Sequence, residues 1–265
     1  MKEKMRRILE RLHSYNSEDM AFQTFGFSKE IEYDALVVAP SFTPDRLRMD
    51  ESCKVTTLRE SAYLAGYLVE KDHLKIAWIK TGSSDANCID HIAVCAELNF
   101  RKMIFIGAVG ALKEGFELGD ICTPAYSIAG GYAHTYLKES IKDYVPFEKV
   151  TPPMEYIDHV ISIGKENGCL IKKASVFCTA SIALEYYHLD EIKAFDTDLI
   201  EMETCCFYLM ADLLEIPSVA LLVVSDNSAT GAALVGRTEE EQEKYDAGKK
   251  KILPHLILTV AREGI

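Results

Sequence analysis

The apolar pattern between residues 200 and 231 predicts a strand end, a helix, a buried strand and a polar loop, in that order. Apolar residues recur with the i, i+3, i+4, i+7 spacing of a helix that buries one face. They are Met202, Cys205, Cys206, Leu209, Met210, Leu213 and Leu214. Pro217 prevents the helix from continuing. The apolar run at 219–224 is rich in β-branched residues, which is typical of a strand buried on both faces of a mostly parallel sheet.

Carboxylates stand at both ends of this stretch. Glu201 and Glu203 lie at the start of the predicted helix, and Asp226 lies where the buried strand leaves the sheet. Ligands bind at the carboxyl ends of strands in open α/β sheets, and a half-buried carboxylate there can have the raised pKa that a general acid needs. A structural interpretation stays open, in which the two Glu stabilise the helix start and the Asp caps a turn.

The rest of the chain alternates between strand-like and helix-like patterns. Strands are predicted at 35–39, 103–106, 121–122 and 173–178, a hairpin at 64–69 and 74–79, and helices at 89–98, 157–167 and 239–262. Pro254 interrupts or restarts the last helix, and the pattern over 55–69 as a whole is ambiguous. This alternation predicts an α/β fold, a three-layer α/β/α sandwich around a mixed, largely parallel sheet.

Two segments between these elements are candidates for lining a site. GAVGAL at 107–112 is predicted to be a tight turn whose backbone N–H groups could hold an anion or a hydroxyl. Residues 130–156 are rich in Tyr, Pro and charge, and they are predicted to form a long surface loop. No GxGxxG, GxxxxGK[ST], GxSxG or HExxH motif occurs.

Composition narrows the classes of protein. The 265 residues show no linker, so we predict a single domain over 1–265, with residues 1–24 as an N-terminal helical extension. Residues 1–20 are predicted to form a charged amphipathic helix and not a signal peptide. A formal charge of −12 argues against nucleic acids and anionic membranes as partners, and no apolar run is long enough to span a membrane.

The eight cysteines lack CxxC spacing, and most lie within apolar segments. This usage predicts reduced thiols in a cytoplasmic protein, without a disulfide framework or a metal site.

Four short motifs occur in a familiar order: PSFTPDR at 40–46, LRES at 58–61, IEMET at 200–204 and VVSDN at 223–227. With these motifs the chain resembles the nucleoside phosphorylase family, which contains uridine phosphorylase, hexameric purine nucleoside phosphorylase and the methylthioadenosine nucleosidases. The resemblance extends over residues 25–224 and the loop that follows. It implies a homo-oligomer, either a dimer or a trimer of dimers.

The resemblance also implies roles for individual residues. Glu203, with Met202 and Glu201 beside it, would bind the ribose hydroxyls, and Asp226 would donate a proton to a leaving purine. The remaining roles are phosphate binding by Arg46 and Arg59, the latter crossing to a neighbouring subunit, and base binding by Ser225, Thr179 and Ala180. No cofactor is implied, because inorganic phosphate would be a co-substrate.

This sequence departs from the family pattern at the phosphate site. Phe105 and Ala108 stand where the phosphorylases have an Arg and a hydroxyl residue that bind phosphate. The Glu with which the nucleosidases activate water is also absent, and Asp45 is the nearest carboxylate. The uracil-reading Gln and Arg of uridine phosphorylase have no counterpart in TASIALEYY at 179–187.

Three functions therefore follow from the sequence. The first is a phosphorylase that converts a purine or related nucleoside and phosphate to the base and ribose 1-phosphate. The second is a hydrolytic nucleosidase, and the third is a non-catalytic nucleoside-binding protein. Retention of Asp226 beside the IEMET motif argues against the third function.

Overall fold

The computed structural model describes residues 1–16 and 19–263, and it confirms the predicted fold class. The strands are β1 (Glu32–Tyr33), β2 (Ala35–Ala39), β3 (Lys54–Glu60), β4 (Ala65–Lys71), β5 (Leu74–Lys80), β6 (Asn99–Phe100), β7 (Met103–Ala111), β8 (Ile121–Ala129), β9 (Lys149–Val150), β10 (Ile171–Cys178), β11 (Leu199–Glu201) and β12 (Ser218–Asn227). The helices are α1 (Glu3–His13), α2 (Met20–Phe25), α3 (Asp85–Cys95), α4 (Met154–Glu166), α5 (Leu189–Lys193), α6 (Thr204–Leu214), α7 (Glu239–Ala247) and α8 (Leu253–Arg262).

Ten strands form one mixed sheet in the order β11-β10-β8-β12-β7-β2-β5-β4-β3, with β9 paired to β8. Strands β2, β5, β7 and β12 are parallel to one another, so their carboxyl ends meet at one edge. Strands β8, β10 and β11 form a second parallel group, which runs antiparallel to β12 and β7. Because β11 also pairs with β7, the strands from β7 through β12, β8 and β10 to β11 close into a ring. Several chain segments are thereby brought to the same end of the sheet.

Helices cover the sheet in two groups. Helices α1 and α3 pack on α6, which lies against β8 and β12, while α4 packs on α8 and also contacts β12 and β10. Helix α6 therefore has neighbours on both sides, and nine of its eleven residues are buried. The prediction that this helix buries only one face was wrong. The helix also begins at Thr204, so Met202 lies before it.

The segment 107–112 is not the predicted turn. Strand β7 continues through Gly107 and Gly110 to Ala111, and its later residues pair with both β12 and β11. The backbone of this segment is therefore part of the sheet. The two glycines permit close approach: a Cβ at Gly110 would lie 2.9 Å from a carboxylate oxygen of Asp226.

Other boundaries also differ from the predictions. Helix α3 begins four residues earlier than expected because Ser84 caps it, accepting the backbone N–H of Asn87 at 3.1 Å. The ambiguous segment 55–69 contains β3 and the first part of β4, and the predicted hairpin is present as β4 and β5. The tail is divided into α7, a π-turn at Gly248–Ile252 and α8, whose first turn contains Pro254.

The predicted helix over 1–20 is also divided. Helix α1 ends at His13 and α2 begins at Met20, while Ser17 and Glu18 lie outside the described residues. Helix α1 is part of the core, since Met5 and Leu9 are buried. The assignment of a single domain with a 1–24 extension stays a prediction. In the part of the chain that the structure describes, no helix is long and apolar enough to cross a membrane.

Candidate active site at the carboxyl ends of the strands

A cavity of about 130 Å³ lies at the edge where the parallel strands end. Its lining includes the residues that follow β2, β5 and β10 and the last residues of β7, β11 and β12. Glu185, Ile182 and Leu234 complete one side. A second cavity of about 450 Å³ adjoins it and shares Asp226 and Leu234. Ligands bind at this edge in open α/β folds. The topology therefore brings together residues that are far apart in sequence.

Glu201 is tied to the start of α6. Its carboxylate accepts the backbone N–H of Glu203 at 2.8 Å, the N–H and hydroxyl of Thr204, and the thiol of Cys178 at 2.9 Å. Burial raises the pKa of this carboxyl, and the hydrogen bonds act in the opposite direction. Both oxygens already accept hydrogen bonds from the protein, as expected if Glu201 stabilises the start of the helix. Its predicted ribose-binding role stays a prediction, although it lines the cavity.

Glu203 has a different environment, although it is only two residues away. Its side chain is 4% exposed, and its Oε1 has no hydrogen-bond partner among the described residues. Burial raises its pKa well above the usual value, and the negative charges of Glu201 and Asp85 add to this effect. A buried, unsatisfied carboxyl oxygen is costly unless a ligand supplies the missing donor. Glu203 can therefore accept a hydrogen bond from a hydroxyl in the cavity.

Asp226 lies at the end of β12, beside a bulge in its pairing with β7. Its Oδ1 accepts the Ser225 hydroxyl at 2.6 Å, while burial raises its pKa. The Ser225 hydrogen bond and the positive charge of Arg237 partly oppose this shift. The missing side chain at Gly110 leaves room for the carboxylate. Asp226 is thus placed in a cavity with a pKa moved toward neutrality, as a proton donor requires.

Arg237 was not identified from the sequence. Its guanidinium donates two hydrogen bonds to the carbonyl of Ser225, at 2.9 and 2.7 Å, and it lies 4.3 Å from the ring centre of Tyr245. These contacts hold a cation next to Asp226. The sequence did offer one indication of this residue: Arg237 lies between the polar loop after β12 and Thr238, which caps α7.

Glu185 was also missed. It begins a short 3-10 turn after β10, is 9% exposed and lines the cavity with Asp226. Burial raises its pKa to about 7, and the negative charge of Asp226 contributes to the shift. The signal in the sequence was an acidic residue inside TASIALEYY, the segment directly after the predicted strand 173–178.

The other predicted base-binding and ribose-binding residues divide into two groups. Thr179, Ser225 and Met202 line the cavity, whereas Ala180 does not. Thr179 is anchored there by its backbone N–H, which donates to the Glu201 carbonyl at 2.6 Å. The site roles of these four residues stay predictions.

The two predicted phosphate ligands do not line the cavity of their own chain. Arg46 lies at its rim, where its guanidinium donates to the carbonyl of the lining residue Ser41 at 3.3 Å. Arg59 donates to the carbonyl of Gln23 and lies 5.9 Å from the ring centre of Phe22. The predicted role of Arg59 in a neighbouring subunit stays a prediction.

The two departures from the family pattern have different surroundings. Ala108 lines the cavity, where it presents only a methyl group. Phe105 is 1% exposed, and its ring centre lies 5.4 Å from that of Phe207 in the core. The charged residues among the described lining of the cavity are four carboxyls, Glu185, Glu201, Glu203 and Asp226, and no cation is among them.

A larger groove of about 980 Å³ is remote from these groups. It lies at the opposite end of β12, where Ser218 lines it together with residues 148–153 and the ends of α4 and α6. Asp226 lies eight positions after Ser218 along the strand, which corresponds to roughly 26 Å. The predicted surface loop therefore contributes to this groove and not to the cavity at the carboxyl edge.

An α/β fold with buried carboxyls at the carboxyl ends of its strands is typical of proteins that bind and convert small polar molecules. The chain belongs to the Phosphorylase superfamily, whose family model matches residues 53–257. Glu185, Glu203 and Asp226 lie inside the matched range, and Arg46 lies before it. The predicted family is thus confirmed.

Curated relatives match part of the chain. The chain is 25% identical over 148 residues to the DeoD-type purine nucleoside phosphorylases of Anoxybacillus flavithermus (strain DSM 21510 / WK1) and Geobacillus stearothermophilus, covering 56% of this chain and 60% of each relative. The corresponding protein of Alkaliphilus metalliredigens (strain QYMF) is 24% identical over 163 residues, 59% of this chain and 64% of that relative. The chain therefore spans about three fifths of the length of these relatives.

Solved structures show the same fold over more of the chain. The 5'-methylthioadenosine/S-adenosyl homocysteine nucleosidase of Campylobacter jejuni superposes with a TM-score of 0.67 at 14% identity, covering 86% of this chain and 99% of that one. The AMP nucleosidase of Bacteroides thetaiotaomicron VPI-5482 also gives a TM-score of 0.67, at 18% identity, covering 98% of this chain and 97% of that one. At these identities the likeness concerns the fold.

Proposed function

We propose that this protein cleaves the N-glycosidic bond of a purine nucleoside, with phosphate as the nucleophile and ribose 1-phosphate as the sugar product. One observation carries the proposal: Glu203, with an unpartnered buried oxygen, and Asp226, with a raised pKa, line the same cavity. The DeoD-type relatives support a purine as the base. The family match supports nucleoside chemistry in general.

In the proposed reaction the C1'–N bond breaks and its electron pair moves to the base, while a phosphate oxygen forms the new bond to C1'. Asp226 donates its proton to the base nitrogen, which lets the base leave as a neutral molecule. The sugar gains oxocarbenium character, and hydroxyl hydrogen bonds to Glu203 strengthen as that charge develops. Arg237, adjacent through Ser225, stabilises the Asp226 carboxylate that remains.

Phosphate would be held by Arg46 at the rim and by Arg59 of a neighbouring subunit. Forked guanidinium donors are well suited to a phosphate dianion. This part of the proposal requires a homo-oligomer, because Arg59 is directed to Gln23 and Phe22 within its own chain. The reaction needs no further cofactor.

Hydrolysis is the second candidate, and the lining of the cavity favours it. The lining residues offer four carboxyls and no cation, and Ala108 offers no hydroxyl. A neutral water molecule enters such a site with less electrostatic cost than a phosphate dianion. For the same reason, phosphorolysis at this site should show weak affinity for phosphate.

The test is the initial rate of base release from purine nucleosides as a function of phosphate concentration, with the sugar product identified. Dependence on phosphate with ribose 1-phosphate as product supports the proposal, whereas free ribose without phosphate dependence supports hydrolysis. Asp226→Asn should reduce turnover by roughly 10²-fold or more while binding changes little. Asp190→Asn, an exposed Asp in α5, is the matched control. Unchanged turnover in Asp226→Asn would remove this residue from the mechanism.

A further inference from the structure

Glu185 is a buried carboxyl whose hydrogen-bonding capacity is not used by the protein. Its backbone N–H donates to the Ser181 carbonyl at 3.1 Å, which fixes the 3-10 turn that places the side chain in the cavity. The side chain is 9% exposed, and no described residue donates a hydrogen bond to its carboxyl. A carboxyl that lines a cavity and receives no donor from the protein is available to a ligand.

A ligand in the cavity can supply the hydrogen-bond donor that the protein does not. The other charged groups among the described lining residues are carboxyls, so the protein itself offers no cation to Glu185 in the cavity. A carboxyl accepts hydrogen bonds whether it is ionised or neutral: the ionised form has two acceptor oxygens, and the neutral form has one donor and one acceptor. An amino group on the ligand satisfies an acceptor of either form.

Glu185 belongs to the Asp226 side of the cavity. The negative charge of Asp226 acts on Glu185 and also on its neighbour Tyr186, which lines the adjoining cavity together with Asp226. The groups that act on Glu203 are instead Glu201 and Asp85. Since Asp226 is the proposed proton donor to the base, a ligand group next to Glu185 is part of the base and not of the ribose.

We propose that Glu185 reads the base, and that its carboxyl accepts a hydrogen bond from an exocyclic amino group, so that the site selects aminopurine nucleosides. The inference rests on the proposed function, since it takes the space beside Asp226 as the base site. It adds a specificity-determining contact that is separate from proton donation. A base without the amino group offers no donor to Glu185, so the site discriminates against it.

The experiment compares nucleosides that differ only by an amino group. Adenosine and purine riboside differ at C6, and guanosine and inosine differ at C2. The ratio of kcat/KM within each pair is measured for the wild type, Glu185→Ala and Glu185→Gln. Glu191→Ala is the matched control, because Glu191 is an exposed acidic residue in the next helix and contacts His188.

We expect the wild type to prefer the amino member of one pair by roughly tenfold or more, as for a hydrogen bond to a charged group. The pair that shows the preference identifies C6 or C2 as the position read. Glu185→Ala should bring that ratio close to one, Glu185→Gln should retain part of it through its amide oxygen, and the control should leave it unchanged. A wild type without amino preference, or a ratio that is unchanged in Glu185→Ala, would overturn the inference while the proposed function stands.

Equilibrium binding of the free bases separates this inference from the proposed function. If the wild type releases no base from any of the four nucleosides, the proposed function fails, and calorimetric titration with adenine, purine, guanine and hypoxanthine becomes the deciding measurement. A preference for an amino base that disappears in Glu185→Ala would still support the inference. Equal binding of both members of each pair, or no binding of any base, would refute it. Circular dichroism shows whether each variant is folded.

Discussion

The cavity has two pairs of carboxyls, and the pairs show how one residue type is used in two ways. On one side, Glu201 is fully engaged by the start of α6, whereas Glu203 has an oxygen without a partner. On the other side, Asp226 accepts the Ser225 hydroxyl and lies near Arg237, whereas no described residue donates to Glu185. In each pair one carboxyl is held by hydrogen bonds from the protein, and the other has acceptor capacity that the described residues do not fill.

The two pairs differ in their burial and in the rigidity of the elements that hold them. Glu201 and Glu203 are 6% and 4% exposed and belong to a strand end and a helix start, so their positions depend on the core. Asp226 and Glu185 stand on a strand end and a short 3-10 turn, next to the half-exposed Tyr186 and the loop after β12. Glu201 thereby fixes the helix start beside Glu203, whose proposed partner is the sugar, and the second pair is suited to exchange a proton.

The largest effect is expected for the residue that holds the helix start. Glu201→Ala removes the acceptor for two backbone N–H groups, the Thr204 hydroxyl and the Cys178 thiol, all of them buried. Leaving these donors unsatisfied should lower the free energy of unfolding by about 3–5 kcal/mol. Chemical denaturation monitored by circular dichroism measures this loss. Glu201→Gln keeps one acceptor oxygen and should lose less, and equal stability of Glu201→Ala and wild type would contradict the capping role.

The next effect is expected on turnover and not on folding. Glu203→Ala removes a buried carboxyl that has an unsatisfied oxygen, so the folded state should lose little stability. Cleavage of ribonucleosides should fall by roughly 10²-fold, because hydrogen bonds that strengthen in the transition state are lost. Cleavage of 2'-deoxynucleosides should be less sensitive.

The measurement is kcat/KM for a ribonucleoside and its 2'-deoxy analogue, with the wild type and Glu203→Ala compared side by side. Glu166→Ala, an exposed residue at the end of α4, is the control. If both substrates lost rate by the same factor, Glu203 would be better explained as a helix-start residue like Glu201.

The sequence predicted these features to different degrees, for physical reasons. The apolar run of β12 and the Pro217 stop place Asp226 at a strand end, because hydrophobic periodicity and proline act locally. The extension of β7 through GAVGAL could not be predicted, because glycine fits turns and strands alike and the pairing with β11 joins segments about 90 residues apart. The burial of Glu185 depends in the same way on a turn that folds back onto β12.

The candidate chemical roles also divide into those indicated by local sequence and those that depend on tertiary contacts. The sequence predicts roles for Glu203 and Asp226 because each is next to a regular element and within a recognisable motif. Glu201 was placed with the ribose ligands, yet its hydrogen bonds belong to α6, and only tertiary structure separates these two glutamates. Arg237 acts through a backbone carbonyl, a contact that no side-chain motif encodes.

The smallest effect concerns the pH dependence of stability on the Asp226 side. Burial and the charge of Asp226 raise the pKa of Glu185 from an ordinary value of 4.5 to about 7 in the folded protein. Burial and the negative charges of Asp226 and Glu185 also raise the pKa of Tyr186, the next residue in the chain. The positive charge of Arg237 acts in the opposite direction on the pKa of Asp226, which burial raises. A raised carboxyl pKa means that the folded state binds the proton more tightly than the unfolded state. The contribution of Glu185 to stability is therefore fully present below about pH 4.5 and is lost as the pH rises through about 7.

Glu185→Gln removes this titration while keeping the shape of the side chain. Relative to wild type, the variant should therefore gain stability between pH 5 and pH 8, by on the order of 1–2 kcal/mol once solvent screening at the cavity mouth is taken into account. Denaturation midpoints of both proteins at several pH values measure the difference, and Glu191→Gln, which changes an exposed carboxyl, serves as the control. A difference between wild type and Glu185→Gln that is the same at pH 5 and pH 8 would show that Glu185 titrates alike in the folded and unfolded states. The contrast between the two pairs of carboxyls would then no longer include proton exchange at Glu185.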